Sequence, residues 1–246
     1  MKTRYGTFNG FVDENGVKTW LGIPYAQPPV GKLRWQAPQP LQPSNKSFDA
    51  TKYGYSPIQV AMKIDEPLVN DDDTPQSEDC LTLNIFTCGE GKNKPIMVWI
   101  YGGAFIKGYS SENLYSGSNF AAANDVVIVL LNYRVNVFGF MNFANIDSAY
   151  EDSGYLGMKD QVAAVKWVKE NIAAFGGDPD NITVFGESAG STSTMLLTVI
   201  PAAKGLFQKV IPQSGHVNFY SEPRKFPLKS QKILWRLAAR KPLATL

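Results

Sequence analysis

The chain has 246 residues, 44% hydrophobic and 12% aromatic, with 24 Lys and Arg against 22 Asp and Glu for a net charge of +2, a composition ordinary for one large or two small domains with a sizeable core. No run reaches the ~18 apolar residues of a membrane-crossing helix, and the opening MKTRYGTFNGFVDENG lacks the apolar stretch of a secretion signal. Two cysteines, Cys80 and Cys88, do not make a disulfide framework, so two reduced thiols in a cytoplasmic protein are expected.

Residues 3 to 23 read as short strands broken by turn signals at Asn9-Gly10 and at Glu14-Asn15-Gly16. A proline-rich, loop-like stretch runs from Pro24 to Pro43, and the acidic run Asp71-Asp72-Asp73 reads as a solvated loop. CLTLNIF, Cys80 to Phe86, alternates like a strand. Continuous apolar strands then alternate with helices. PIMVWIY (Pro95 to Tyr101) ends at Gly102-Gly103, and VVIVLLNY (Val126 to Tyr133) is a second buried strand. The segment Met158 to Phe175 places Val162, Val165, Val168, Ile172 and Phe175 on one helical face. NITVF (Asn181 to Phe185) runs into Gly186, a small-residue helix follows from about Ala189 to Val199, and KVIPQSG (Lys209 to Gly215) is the last short strand. Uninterrupted apolar strands separated by helices predict a mostly parallel α/β sheet covered on both faces. Ligands bind beyond the carboxyl ends of such strands. Gly102-Gly103, Ser188 and Ser214-Gly215-His216 all fall at such ends.

The stretch VFGESAGS, Val184 to Ser191, has the glycine-x-serine-x-glycine spacing of a nucleophile on a sharp strand-to-helix turn. Glycines at 186 and 190 leave room for strand to pack closely on helix, and the helix N-terminus offers unpaired N–H groups beside Ser188. Acyl transfer also needs donors for the developing oxyanion. The N–H of Ala189 is one candidate, and Gly103 and Ala104 in YGGAF supply two more, where small residues let the backbone approach a substrate. A serine hydroxyl needs a neighbouring base to take its proton. The chain contains one histidine, His216.

These segments carry a resemblance. TRYGTFNG, GIPYAQPPVGKLRW, SEDCLTLNI, WIYGGAF, NYRVNVFGF, LGMKDQVAAVKWVKENIAAFGGDPDNITVFGESAG and IPQSG, spread over about residues 1 to 217, are together similar to the type-B carboxylesterase family, the cholinesterase-like branch of the α/β-hydrolases. The resemblance implies an α/β-hydrolase fold, a mostly parallel sheet preceded by an N-terminal antiparallel hairpin. It also implies hydrolysis of carboxylic esters through an acyl-enzyme on Ser188, with Gly103, Ala104 and Ala189 as the oxyanion hole. Tyr101 stands where many members have a histidine before the two glycines, as it does in the cholinesterases. Cys80 matches a cysteine that is disulfide-bonded in secreted members; its expected partner near Tyr55 to Gln59 is absent, as in an intracellular bacterial type of enzyme.

The family order is serine, then Asp or Glu, then histidine, and 58 residues follow Ser188. The strands that bear the acid and histidine are therefore expected to be missing. The only acid in that remainder, Glu222, comes after His216, in reverse order. The position of His216 directly after Gln213-Ser214-Gly215 favours a pocket or loop role over that of general base. Residues 1–217 form the expected domain and 218–246 a basic tail: beyond Ser188 there are 9 Lys and Arg against 1 acid, and up to it 15 against 21. No nucleic-acid motif accompanies that charge, so no nucleic-acid partner is expected. Leu228 to Arg240 can make a short amphipathic helix. The reading is a hydrolase acting on small-molecule esters, with no cofactor and no metal, weakly active or inactive alone, and completed by a separate C-terminal half supplying acid and histidine. A non-catalytic cholinesterase-like interaction module and a degenerate truncated product are the alternatives.

Overall fold

The computed structural model describes residues 1–59, 74–115 and 117–217. The acidic run at 71–73 and the amphipathic segment 228–240 lie outside them. The architecture centres on a seven-stranded sheet. Its strands in chain order are β1 (Phe11–Val12), β2 (Val17–Pro24), β3 (Thr82–Cys88), β4 (Lys94–Ile100), β5 (Val127–Leu131), β6 (Gly177–Glu187) and β7 (Lys209–Gln213). The spatial order is β7-β6-β4-β5-β3-β2-β1. The pairs β4/β5, β4/β6 and β6/β7 are parallel, while β3/β5, β2/β3 and β1/β2 are antiparallel. This is the α/β-hydrolase arrangement expected, with an antiparallel N-terminal edge. A small sheet of Lys2–Thr3, Gly6–Asn9 and Ser47–Asp49 packs beside it.

Every residue of β5 is buried, as its unbroken VIVLL run requires of a central strand covered on both faces. Strand β3 differs from its sequence pattern. Its alternation suggests one solvated face, yet Thr82 to Thr87 are all buried. The polar positions are absorbed by hydrogen bonds: Asn84 Oδ1 accepts from Gly22 N–H (2.9 Å) and its Nδ2 donates to Ser110 Oγ (3.0 Å). A buried polar side chain with its partners in place costs little.

The helices are α1 (Gly117–Ala123), α2 (Asn136–Phe140), α3 (Leu156–Asn171) and α4 (Ala189–Leu197). The face of α3 is wider than the apolar stripe predicts. Val165 and Val168 are buried as expected and Val162 is half-buried, but Asp160, Gln161 and Trp167 are buried too. The Asp160 carboxylate accounts for its own burial. It accepts from Arg134 Nε (2.8 Å), Nη2 (2.7 Å) and backbone N–H (3.1 Å), so the two charges are taken from water together. That pair fixes α3 to the chain leaving β5.

Strand order places the site. From β4 the chain goes to β5 on one side, then crosses to β6 on the other, so β4 is the topological switch point. The turns after β4 and β6 are therefore neighbours at one edge of the sheet. Among the described residues β7 is the last strand on that side, and it is largely exposed, Ile211 included.

Candidate active site

Ser188 stands between the end of β6 and the first residue of α4 with φ 52° and ψ −118°. A side-chain-bearing residue rarely adopts that conformation. Two contacts hold it there. Its N–H donates to the carbonyl of Gln213 at the end of β7 (2.9 Å), and its carbonyl accepts from Thr192 N–H in α4 (3.0 Å). The flanking glycines are required by approach. A Cβ on Gly190 would lie 2.0 Å from the carbonyl oxygen of Ile100, and one on Gly186 2.6 Å from the same atom. Helix α4 thus sits against the end of β4 with no space for a methyl group. The Ser188 side chain is half-buried, and its hydroxyl makes no hydrogen bond among the described residues.

The loop after β4 lies against this serine. A Cβ on Gly102 would be 3.2 Å from the Cβ of Ser188. Gly103, Ala104 and Phe105 take three successive positive φ values, 103°, 54° and 61°. The carbonyl of Gly103 accepts from the N–H groups of Ile106 (3.0 Å) and Lys107 (3.1 Å), closing the turn. The N–H groups of Gly103, Ala104 and Ala189 donate to no acceptor among the described residues. Unpaired main-chain donors beside a half-buried hydroxyl make a local positive potential.

Tyr101 anchors the loop from below. Its hydroxyl donates to the carbonyl of Tyr133 (2.8 Å) and accepts from that residue's N–H (3.2 Å), while the Tyr133 hydroxyl donates back to the carbonyl of Tyr101 (3.0 Å). The rings stack with centroids 4.3 Å apart. Burial raises the ionisation of both phenols well above its ordinary value, so they remain neutral donors. The reciprocal clamp was not legible in the sequence, where Tyr101 shows only as the residue before two glycines.

His216 is exposed, and its carbonyl accepts from Thr192 Oγ1 (3.2 Å). The chain preceding it is close to the elbow, since a Cβ on Gly215 would be 2.8 Å from the carbonyl oxygen of Ser188. No hydrogen bond joins His216 to the Ser188 hydroxyl. The structure therefore brings Ser188, Gly103, Ala104 and Ala189 together and leaves the histidine ring at the surface.

A group that the sequence did not single out also borders the serine. The carboxylate of Glu187 would lie 3.0 Å from a Cβ on Gly102. Tyr115 is pushed to a higher pKa by burial, then by the carboxylates of Glu112 and Glu187. Among the described residues no three His, Cys, Asp or Glu side chains are grouped to hold a metal ion. Cys80 is buried and Cys88 half-buried, both as free thiols.

The carboxylesterase family model matches residues 1–237, which take in the elbow, the glycine loop and every strand of the main sheet. The chain belongs to the carboxylesterase family. Among curated carboxylesterase relatives, the para-nitrobenzyl esterase of Bacillus subtilis (strain 168) is 52% identical over 215 residues, 87% of this chain and 43% of that protein. The cocaine esterase of Homo sapiens is 43% identical over 208 residues, 81% of this chain and 36% of that one. Mouse (Mus musculus) cholinesterase is 43% identical over 210 residues, 82% of this chain and 34% of that one. Among solved structures, a thermophilic pNB esterase superposes with a TM-score of 0.79 at 52% identity, covering 87% of this chain and 43% of its own. A Geobacillus stearothermophilus carboxylesterase gives 0.76 at 47% identity, covering 85% and 41%. The chain thus spans less than half the length of these carboxylesterases. No helix among the described residues is long and apolar enough to cross a membrane.

Proposed function

We propose that the chain carries the acyl-transfer half of a carboxylic ester hydrolase, with Ser188 as nucleophile and the N–H groups of Gly103, Ala104 and Ala189 as the oxyanion hole. The conformation of Ser188 beside three unengaged amides carries this reading. A main-chain amide stabilises charge only where no protein acceptor already holds it, and removing one such donor typically costs about 3 to 4 kcal/mol of transition-state stabilisation. Ser188 Oγ, giving its proton to the base, would attack the ester carbonyl, whose oxygen turns towards those donors as it becomes negative. Collapse would break the ester C–O bond and release the alcohol with that proton, and water would later hydrolyse the acyl-enzyme to the acid and free Ser188. The family membership supports the reaction class.

The base belongs to a second step of the proposal. The one histidine of the chain, His216, makes no hydrogen bond to Ser188. We assign the acid and the histidine to a separate C-terminal half of polypeptide pairing along β7, whose exposed Ile211 offers apolar surface to it.

The experiment is active-site labelling. The purified chain is incubated with a fluorophosphonate probe and with p-nitrophenyl acetate, alone and with the segment of the Bacillus subtilis relative that follows the matched region. Labelling that rises on mixing and vanishes in Ser188→Ala is expected. A folded chain that stays unlabelled in the mixture overturns the reading, and labelling that vanishes in His216→Ala overturns the assignment of the base to another segment.

A further inference from the structure

A second concavity, of about 380 Å³, lies apart from the elbow, between the small N-terminal sheet and the start of β3. Tyr5, Phe8, Leu41, Phe48, Tyr55 and Asp79 are among its walls, and none of the residues assigned above to acyl transfer lines it. Its volume falls within the range of small-molecule sites, roughly 300 to 1,000 Å³.

The lining is aromatic because of strand register. Phe8 and Phe48 are paired across parallel strands, and their rings stack with centroids 5.4 Å apart and an interplanar angle of 23°. Phe8 is buried beneath, while Phe48 is half-buried and Tyr55 exposed at the rim. Tyr5 already carries a cation: the Arg4 guanidinium lies 4.8 Å from its ring centroid, and Glu170 stands 4.0 Å from that guanidinium. The contact shows at Tyr5 the attraction that the negative face of an aromatic ring exerts on positive charge.

Asp79 supplies the second observation. Its backbone N–H donates to Ser77 Oγ (3.1 Å), but its carboxylate accepts no hydrogen bond and forms no ion pair among the described residues. Asp79 is exposed at the groove rim, and the partial desolvation it undergoes there raises its pKa above the ordinary carboxylate value. A carboxylate without a counter-charge that shares a groove with aromatic side chains favours a cation there. An anion would meet repulsion from both the carboxylate and the ring faces. A neutral ligand would cover the carboxylate and leave it unpaired.

We propose that this groove binds a small organic ammonium ion, its charged nitrogen against the Asp79 carboxylate and its apolar body on Phe48 and Tyr55. The site is independent of ester hydrolysis and has its own geometry.

Calorimetric titration of the full chain at pH 7 with benzylammonium, benzyl alcohol and benzoate tests it. Saturable binding of benzylammonium is expected, at least about tenfold tighter than benzyl alcohol, with no binding of benzoate. Asp79→Asn is expected to erase the preference for the cation, while Tyr55→Leu weakens benzylammonium and benzyl alcohol together. Both positions are exposed, and thermal melts verify that each variant folds. Ser188→Ala is expected to leave the titration unchanged, which separates this site from the esterase reading. Absence of saturable binding, equal affinity for benzyl alcohol or benzoate, or a preference that survives Asp79→Asn overturns the proposal, as does loss of binding in Ser188→Ala.

Discussion

Replacing Ser188 by glycine is expected to stabilise the fold while destroying its chemistry. The residue holds φ 52° and ψ −118°, a conformation that costs a side-chain-bearing residue roughly 1 to 3 kcal/mol and glycine almost nothing. Glycine also gives the unfolded chain more freedom, which offsets about 0.5 to 1 kcal/mol of that relief. The serine hydroxyl makes no hydrogen bond among the described residues, so its removal forfeits none. A net gain of about 1 kcal/mol remains, equivalent to a rise in Tm of about 2 to 4 °C for a chain of this size. Ser188→Ala is the control, because it removes the same hydroxyl but keeps the Cβ and with it the strain. Wild type, alanine and glycine variants are melted side by side by circular dichroism. A glycine variant that melts at or below the alanine variant refutes the reasoning, since the elbow would then store no strain.

Other substitutions probe the supports of the site. Tyr101→Phe removes the donor to the Tyr133 carbonyl and the acceptor for its N–H, both buried, and is expected to lower stability by about 1 to 3 kcal/mol in urea denaturation and to slow fluorophosphonate labelling. Arg134→Met strands the buried Asp160 carboxylate and is expected to cost about 3 to 5 kcal/mol, while the double variant Arg134→Met, Asp160→Leu recovers most of that loss in the same assay. The buried phenols of Tyr25, Tyr101 and Tyr133 and the buried Cys80 thiol all have pKa values raised by burial. The unfolded chain therefore releases these protons first, the thiol near pH ~8.5 and the phenols near ~10, so stability falls as pH rises, by up to about 1.4 kcal/mol per pH unit per group. Urea midpoints measured from pH 7 to 10.5 are expected to be level at first and then to drop, and an unchanged midpoint at pH 10.5 contradicts the assignment.

The parts of the fold that follow from one-dimensional pattern were legible in the sequence. VIVLL reads as a central strand because burial on both faces leaves no polar position, and Gly186 and Gly190 announce a close approach because only glycine fits 2.0 to 2.6 Å from the carbonyl oxygen of Ile100. What was hidden depends on pairing at long range. Asp160 and Asn84 look like solvent-facing positions until Arg134, Gly22 and Ser110 arrive from distant segments to satisfy them. The same holds at the site. Ser188, Gly103, Ala104 and Ala189 were recognisable because the backbone conformation they need leaves its mark in small residues, whereas the Tyr101–Tyr133 clamp and the Glu187–Glu112–Tyr115 cluster arise only when four loops meet.

That difference also explains why the donors and the base come apart. An oxyanion cradle is made of main-chain amides, and its geometry is set by short-range turns: three positive φ values after β4 and one elbow after β6. Such turns need only strands β4 to β6 and the helix that follows, all present among the described residues. A general base is a side chain that must arrive from elsewhere in the sheet, oriented by a third group, and nothing local specifies it. The elbow is nonetheless held in part by its bond to Gln213 at the end of β7, the outermost strand on that side among the described residues. On the proposed reading, whatever pairs along β7 acts on Ser188 through that hydrogen bond, so the position of the proposed nucleophile and the arrival of its base are coupled through the same strand.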